Sequence, residues 1–305
     1  MEKGFQKPSN WLPFEGKWDF EEDSATYHGP SLENQPNPRG TALCDIKLRS
    51  GSIKVEVRFA GLLKESTAGI LFGYDAGSGE YYYAGIGGYG YNLSDYSPNR
   101  GWRRLGGAVS RQNVEADRGY QIEVRVNGTR VRLFVDKIKV VEHDLPRPLR
   151  GDQTGLFAWD SGSIEYRSTA VNPTRPKLFV IMDFGEPYDA LYSDVIKPVA
   201  DRMGLKAYRA DDVSKPGIVM QDVVQGIVES EFIVAELTSL NPNVFYELGY
   251  AHALDKLTIL QAENGTELPF DIQSYRCIYY DDSIRGKKDV EEKLLKHLES
   301  ILQDE

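Results

Sequence analysis

Cysteine is scarce in this chain, which has 305 residues and contains only Cys44 and Cys277, one in each half. This pair excludes a disulfide framework and a cysteine-built metal cluster, and it is typical of a reducing cytoplasm. The four histidines are scattered without the spacing of metal ligands. The sequence therefore predicts a cytoplasmic protein without a metal site.

Long apolar runs and an excess of basic residues are also missing. No apolar run approaches the roughly 20 residues that cross a bilayer, and the N-terminus lacks the basic and apolar segments of a secretory signal. A net charge of −10 disfavours nucleic acid and anionic lipid as general partners, because phosphate favours a basic face. We therefore expect neither a membrane protein nor a nucleic-acid scaffold, and the length suits two domains.

The first half of the chain has the periodicity of β-strands. Ser52–Phe59 and Gln121–Val126 alternate apolar and polar residues, and Asn127-Gly128 then leads into the alternating run Thr129–Val135. Two alternating runs joined by Asn-Gly are typical of a β-hairpin. Further predicted strands are Ala68–Tyr74, Glu80–Ile86, Lys139–His143, Gly155–Ala158 and Ser163–Ser168. Many short strands without a helical pattern predict an all-β sandwich over residues 1–172.

The pattern changes at the proline-containing connector Asn172–Pro176, and residues 173–305 then alternate strands with helices. The predicted strands are Lys177–Met182, Leu205–Arg209, Phe232–Leu237, Leu257–Gln261 and Arg276–Tyr280. The predicted helices are Pro187–Met203, Gly217–Glu229, Asn243–Leu254 and Val290–Gln303. This alternation predicts an α/β domain with a five-stranded parallel sheet, arranged as a flavodoxin-like three-layer sandwich.

Polar side chains follow the predicted strands of this second domain. The carboxyl ends of parallel strands meet at one edge of a sheet, where open α/β sheets bind ligands. Carboxylates there can accept hydrogen bonds from ribose hydroxyls, while an arginine or a helix N-terminus can contact phosphate. The candidate substrate-binding residues are Asp183, Phe184, Arg209, Asp212, Glu236, Asn241 and Asn243. Taken singly, such residues also serve as helix caps or solvated loop residues, and Glu236 could pair with Arg209.

Glu247 is the candidate catalytic residue. It is the one carboxylate in the helical run that starts at the cap Asn241 and Pro242, and its neighbours are apolar or small. Burying a lone carboxylate is costly unless the group is used or paired. The run therefore indicates a functional carboxylate, with a hydrogen-bond anchor as the structural alternative.

The C-terminal half resembles the nucleoside 2-deoxyribosyltransferase-like superfamily, which includes the TIR-like domains of prokaryotic defence proteins. The matching segments are Phe179–Phe184, Arg209–Asp212, Ile233–Thr238, Asn241–Leu254 and Pro269–Asp271. By this resemblance, Glu247 serves as nucleophile or oxocarbenium stabiliser at the sugar C1′ carbon. Glu236 stands where such families commonly carry aspartate.

The resemblance implies that the domain cleaves the N-glycosidic bond of NAD⁺ or a related nucleotide in an antiviral defence role. NAD⁺ would be a substrate, no cofactor is required, and a homo-oligomer is expected. One alternative is a nucleoside 2-deoxyribosyltransferase. The other is a non-catalytic module that senses a nucleotide and binds a glycan or a protein.

The N-terminal half resembles concanavalin A-like (laminin-G-like) jelly rolls in the segments Ala68–Gly73, Val124–Gly128 and Gly155–Ala158. The resemblance implies a sensing or assembly domain that binds a carbohydrate or nucleotide signal. Aromatic faces stack on sugars and bases, so the aromatic-rich stretch after residue 80 supplies a candidate second ligand site. Its residues are Tyr89, Tyr91, Tyr96 and Trp102, with filling of the sandwich core as the structural alternative for such tyrosines.

Overall fold

A computed structural model describes residues 4–30, 38–107, 114–212 and 219–303. The chain divides into two compact units. The first comprises Met1–Val126, Arg130–Asp144 and Leu149–Thr174, and the second comprises Asn127–Thr129, Leu145–Pro148 and Arg175–Glu305.

The N-terminal unit is a β-sandwich, as the strand periodicity predicts, and a jelly roll, as the resemblance to concanavalin A-like domains implies. Its strands are β1 (Trp11–Glu15), β2 (Lys17–Phe20), β3 (Ser24–His28), β4 (Arg39–Cys44), β5 (Gly51–Phe59), β6 (Thr67–Tyr74), β7 (Tyr81–Gly87), β8 (Gly90–Ser97), β9 (Gly101–Gly106), β10 (Gly119–Asn127), β11 (Arg130–Val135), β12 (Ile138–Asp144), β13 (Gln153–Trp159) and β14 (Ser163–Pro173). In the part of the chain that the structure describes, they form two antiparallel seven-stranded sheets. One has the order β12-β11-β10-β5-β14-β3-β2, and the other, here called the aromatic sheet, has the order β1-β4-β13-β6-β7-β8-β9.

Alternation along the strands builds the core of the sandwich. In the pairing of β10 with β5, Ile122 lies opposite Val55 and Val124 opposite Ile53, and all four are buried. The polar residues between them face away from these side chains, because successive residues of a strand point to opposite sheet faces. The predicted hairpin joins β10 to β11, and Gly128 adopts the positive φ of +57° that such a turn requires.

The C-terminal unit contains the predicted parallel sheet, and its carboxyl edge carries the predicted site. Its strands are β15 (Lys177–Ile181), β16 (Lys206–Tyr208), β17 (Phe232–Glu236), β18 (Leu257–Glu263) and β19 (Cys277–Tyr280). Its helices are α1 (Tyr188–Leu191), which continues through the π-helical turn Tyr192–Ile196 into α2 (Lys197–Arg202), then α3 (Val219–Glu229), α4 (Pro242–Ala253) and α5 (Ile284–Gln303), with a 3-10 turn at Ala210–Asp212. Among the described residues the sheet has five strands in the order β16-β15-β17-β18-β19, all parallel. The flavodoxin-like prediction is thus confirmed.

Helices cover both faces of this sheet. Val180 and Val234 pack with α1, α2 and α5 on one side, here called the α5 face. Ile181 and Ala235 pack with α3 and α4 on the other, here called the α4 face. The strands are therefore apolar at nearly every position, as expected for a sheet buried on both sides.

Several elements differ from their sequence-based predictions. Strands β1 to β4, β8 and β9 were not predicted. Strands β2 and β3 alternate but span only four and five residues, while glycine, proline or adjacent polar residues interrupt the alternation in the others. Helix α5 begins at Ile284 rather than at Val290, because Ser283 caps it by accepting a hydrogen bond from the Gly286 backbone N–H at 3.0 Å. The first turn of the helix predicted from Gly217 lies outside the described residues.

Candidate functional site

The strand order creates a position for a ligand-binding cleft at the carboxyl edge of the parallel sheet. The chain leaves β15 toward the α5 face and leaves β17 toward the α4 face, although these strands are neighbours. Loops that diverge in this way form the switch point where open α/β sheets bind ligands. Every predicted site residue of this unit ends or follows β15, β16 or β17 in the sequence.

The guanidinium of Arg209, directly after β16, is hydrogen-bonded to carboxylates of its own unit. Its Nη1 donates to Asp189 at 2.7 Å, while Nε and Nη2 donate to the two oxygens of Asp211 at 3.0 and 2.7 Å. The guanidinium carbon also lies 5.4 Å from the ring centre of Phe184 and 4.7 Å from that of Tyr192. With the residue only 7% exposed, Arg209 ties the loop after β16 to the segment after β15.

Asp212 belongs to the same cluster. Its Oδ2 accepts hydrogen bonds from the Tyr192 hydroxyl at 2.6 Å and from the Arg209 backbone N–H at 3.0 Å. Burial, followed by this bond to the carboxylate, raises the pKa of Tyr192 far above its ordinary value. The Asp212 carboxylate is thereby fixed at the carboxyl end of β16.

Glu236, the last residue of β17, is fully buried. Its Oε1 accepts hydrogen bonds from the backbone N–H (3.0 Å) and the hydroxyl of Thr238. Its Oε2 has no hydrogen-bond partner among the described residues, although Tyr280 and Gln261 lie close enough to favour its ionised form. Burial outweighs these contacts and raises the pKa of Glu236. The described structure therefore does not pair Glu236 with Arg209.

Asp183 and Tyr188 extend this group toward α1. Asp183 Oδ1 accepts a hydrogen bond from the Phe184 backbone N–H at 2.9 Å. Tyr188 has a raised pKa, mainly through burial and then through the nearby carboxylates of Glu236 and Glu263. The carboxylates thus gather around a tyrosine that the sequence-based reasoning missed, because that reasoning considered residues at strand ends rather than in the first helical turn.

The predicted cap begins α4 as expected. Asn241 Oδ1 accepts a hydrogen bond from the Asn243 backbone N–H at 2.9 Å, and Pro242 occupies the first turn. The Asn243 side chain is exposed. A twelve-residue helix presents a partial positive charge at this end, which suits an anion such as phosphate.

Glu247 lies in the second turn of α4, beside the buried face formed by Val244, Leu248 and Ala251. It is partly buried, and within the described residues it makes no hydrogen bond and no ion pair. Burial alone raises its pKa to about 7. A carboxyl group with this pKa and without a partner changes charge near neutral pH, which suits a nucleophile or an acid–base group.

The pKa of Glu247 predicts a pH-dependent gain in stability when its charge is removed. Because the folded-state pKa is raised from 4.5 to about 7, the folded state binds more protons across this window and wild-type stability falls as the pH rises through it. Glu247→Gln should therefore raise the free energy of unfolding of this unit at pH 8 by about 1–2 kcal/mol, allowing for partial solvent exposure.

Thermal unfolding of both proteins at pH 8 and pH 4.5 checks this expectation. At pH 4.5 the gain should be much smaller, because the wild-type carboxyl group is then mostly protonated in the folded state. The account would be contradicted if the gain in stability of the variant over wild type were no larger at pH 8 than at pH 4.5.

The structure therefore places the predicted residues in separate groups along one edge. Phe184, Arg209 and Asp212 share one cluster, and Asp183 and Glu236 both lie near Tyr188. Glu247 contacts neither group by a hydrogen bond within the described residues. The positions of carboxylates after successive strands indicated this edge. The clusters depend on α1, which carries Asp189, and on the π-helical turn, which carries Tyr192.

The aromatic sheet carries a second candidate site, a cavity of about 290 Å³. It is lined by Glu65, Thr67, Tyr83, Tyr89, Asn92, Ser94, Trp102, Phe157 and Trp159. Of the predicted residues, Tyr89 and Trp102 line the cavity. Tyr96 lies behind it with its ring centre 5.0 Å from that of Trp102, and Tyr91 is not a lining residue.

The walls of this cavity are rigid aromatic groups with polar neighbours. Tyr83 stacks on Phe157 with ring centres 4.2 Å apart, and Trp102 meets both rings edge to face. The Asn92 amide donates to the Tyr83 hydroxyl at 2.5 Å and accepts from the Ser94 hydroxyl at 3.0 Å. Trp102 remains 37% exposed, so a flat apolar face and oriented hydrogen-bonding groups are available to a ligand.

No protein-family model matches this sequence, and no curated protein matches it either. Solved structures do resemble the N-terminal unit. The carbohydrate-binding module CBM66 from Bacillus subtilis is 13% identical, with a TM-score of 0.44 over 53% of this chain and 94% of that chain. A prokaryotic β-1,3-1,4-glucanase (lichenase) derived from a mouse hindgut metagenome is 11% identical, with a TM-score of 0.41 over 57% of this chain and 95% of that chain.

A Bacillus subtilis protein of unknown function with a galectin-like fold is also similar, at 12% identity and a TM-score of 0.38 over 53% of this chain and 89% of that chain. These likenesses concern the β-sandwich fold alone. Among the described residues, no group of histidine, cysteine, aspartate and glutamate side chains is arranged to hold a metal ion. No helix within the described ranges is long and apolar enough to cross a membrane.

Proposed function

We propose that the C-terminal unit cleaves the N-glycosidic bond of NAD⁺ or a related nucleotide, with Glu247 as the catalytic carboxylate. The observation that carries the proposal is the state of Glu247, which is partly buried, lacks a partner within the described residues and has a pKa of about 7. A structural anchor would be held by a hydrogen bond or an ion pair. The absence of both in the described structure favours a group reserved for a ligand.

The chemistry suits one carboxylate. As the bond between C1′ and the nicotinamide nitrogen breaks, its electron pair goes to the ring nitrogen, and the cationic pyridinium leaves as neutral nicotinamide. The Glu247 carboxylate stabilises the positive charge that develops on the ribose, or forms an ester with C1′. Water then adds to C1′ and gives its proton to the solvent, and any ester bond between C1′ and Glu247 breaks to return the carboxylate, giving ADP-ribose. Nicotinamide leaves without protonation, so no strong general acid is required.

The other residues of the edge have supporting roles in this proposal. The N-terminus of α4, capped by Asn241, attracts the diphosphate, and Asn243 is exposed beside it. Asp183 and Asp212 can accept hydrogen bonds from sugar hydroxyls. Arg209 mainly holds the loops, because Asp189 and Asp211 already occupy its guanidinium.

A substrate panel tests the reaction class. Incubation of the full chain with NAD⁺, followed by chromatography, should yield nicotinamide and ADP-ribose. A parallel incubation with a deoxynucleoside and a free base should leave both unchanged. Exchange of the base would instead favour the nucleoside 2-deoxyribosyltransferase alternative, and binding of NAD⁺ without cleavage would favour the non-catalytic one. High protein concentration is needed, because a homo-oligomer is part of the proposal.

For the N-terminal unit we propose binding of an uncharged carbohydrate in the cavity of the aromatic sheet. Trp102 supplies an exposed ring for stacking on a sugar face, and Asn92, Ser94 and Thr67 supply hydrogen-bonding groups. Among the described lining residues, Glu65 carries the one charged side chain, which disfavours an acidic sugar. In the full chain such binding would regulate the C-terminal unit.

Trp102→Ala should weaken binding of neutral oligosaccharides by about tenfold or more, the equivalent of about 1.4 kcal/mol. Screening on a glycan array followed by calorimetry with the best binder measures the loss. Phe14→Ala is the matched control, because Phe14 is also an exposed aromatic residue, at 50% against 37% for Trp102, and lies outside the cavity lining. Since Trp102 also packs on neighbouring rings, Asn92→Ala provides a second variant, and unchanged affinity in both would refute the site.

A further inference from the structure

The C-terminal unit contains a cavity of about 360 Å³ whose lining includes none of the site residues predicted from the sequence. It lies at the carboxyl edge of the parallel sheet, between the start of α1, the ends of β18 and β19, and the start of α5. Tyr188, Leu191, Glu263, Tyr280 and Asp282 are among its lining residues. It therefore belongs to the α5 face, whereas Glu247 belongs to the α4 face.

The lining offers hydrogen-bond acceptors that the chain leaves free. Glu263 and Asp282 form no side-chain hydrogen bond or ion pair with any residue of the described ranges. The other charged groups are engaged, since Asp281 accepts from the Asn264 amide at 2.7 Å and Lys287 donates to Asp194 at 2.6 Å. The cavity is thus lined by two carboxylates, Glu263 and Asp282, that have no partner among the described residues.

Two tyrosine rings and several apolar side chains complete the walls. Tyr188 is half-buried and Tyr280 is only 7% exposed, so both rings are held in place. A fully buried carboxyl, Glu236, lies near both hydroxyls and keeps an Oε2 without a hydrogen-bond partner among the described residues. Flat rings suit a purine, and free carboxylates suit the two hydroxyls of a ribose.

We propose that this cavity binds the adenosine end of NAD⁺, an assignment that rests on the proposed function. The substrate would cross the sheet edge, with its nicotinamide ribose at Glu247 and its adenosine on the opposite face. Nicotinamide mononucleotide has no adenosine and therefore gains nothing from the cavity. Glu263 and Asp282 accept hydrogen bonds from the adenosine ribose, and their charge repels a 2′-phosphate. The enzyme therefore selects NAD⁺ over NADP⁺ and over nicotinamide mononucleotide.

Nicotinamide release from these three compounds tests the assignment. For the wild-type full chain, kcat/KM for NAD⁺ should exceed the values for NADP⁺ and for nicotinamide mononucleotide by about tenfold or more. In the double variant Glu263→Gln, Asp282→Asn, the values for NAD⁺ and NADP⁺ should come within about threefold of each other. Glu267→Gln is the control, because Glu267 is exposed on the same connection but does not line the cavity.

Equal use of NAD⁺ and NADP⁺ by the wild type, or an unchanged preference in a double variant with wild-type thermal stability, would overturn the assignment. Failure to release nicotinamide from any compound would refute the proposed reaction instead. In that case, calorimetry with ADP-ribose tests whether the cavity binds the adenosine end. The site is supported if the wild type and the Glu267→Gln control bind ADP-ribose and the double variant does not. The assignment is overturned if the wild type does not bind it.

Discussion

Glu247→Gln should lower the rate of nicotinamide release from NAD⁺ by about 10³-fold or more, because the amide can neither form the ester with C1′ nor offset a full positive charge. The substitution preserves the shape of the side chain. Since Glu247 forms no hydrogen bond or ion pair with other described residues, the neighbouring side chains lose no partner. The affinity for NAD⁺ should therefore change little while kcat falls.

Initial rates at saturating NAD⁺ and a binding titration with ADP-ribose separate these effects. Glu267→Gln, an amide substitution at an exposed glutamate of the same unit, should keep the wild-type rate. The wild-type value of kcat/KM should also rise with pH through about 7, where Glu247 ionises in the free protein. Activity in Glu247→Gln within tenfold of wild type would show that another group performs the chemistry.

Arg209→Met should lower the free energy of unfolding of the C-terminal unit by about 2–3 kcal/mol. The variant keeps a long apolar stem but loses the hydrogen bonds to Asp189 and Asp211 and the contact with the Phe184 and Tyr192 rings. The loss of stability stays moderate because the side chains of Asp189 and Asp211 are 46% and 42% exposed. Water can therefore solvate both carboxylates once the arginine is gone.

Denaturant unfolding monitored by circular dichroism measures this loss. Arg202→Met is the matched control, since Arg202 is an exposed arginine of the same unit paired with Glu291 at 2.5 Å, and its loss should cost less than about 0.5 kcal/mol. Arg209→Lys should recover only part of the difference, because an ammonium group cannot make the bidentate contact with Asp211. Equal stability of the Arg209 and Arg202 variants would contradict the role of Arg209 as a tether.

Much of the fold could be predicted from periodicity and turn residues. Alternation in Ser52–Phe59 and Gln121–Val126 predicts half-buried strands, and these are β5 and β10, which the structure pairs. The apolar segments Lys177–Met182 and Phe232–Leu237 predict strands, and these are β15 and β17, which lie side by side in the sheet. These signals are strong because each strand buries a whole face, so packing enforces the pattern along its length.

Other parts could not be predicted, because their structure depends on contacts distant in sequence. Strands β8 and β9 of the aromatic sheet are examples, since they were not predicted although the neighbouring β6 and β7 were. Both begin at a glycine with positive φ, Gly90 at +84° and Gly101 at +77°, and glycine in a strand weakens the local signal. Their place in the sheet follows from the pairing of β8 with β7 and of β9 with β8.

The location of the candidate site at the carboxyl edge of the sheet could be predicted from the sequence, but the contacts between its side chains could not. Strand ends alone indicated Asp183, Arg209 and Glu236, because parallel topology brings them to one edge. The pairing of Arg209 with Asp189 depends on the geometry of the segment that follows β15. Tyr188 and Glu263 were not predicted either, since their relation to Glu236 follows from the arrangement of strands in space.

The most direct test of the central claim is to follow NAD⁺ and its products over time with the concentrated wild-type full chain and with Glu247→Gln. The account predicts that the wild type forms nicotinamide and ADP-ribose in equal amounts, at the expense of NAD⁺, and that the variant forms neither at a comparable rate. Undiminished NAD⁺ in the wild-type reaction, or equal product formation by both proteins, would contradict it.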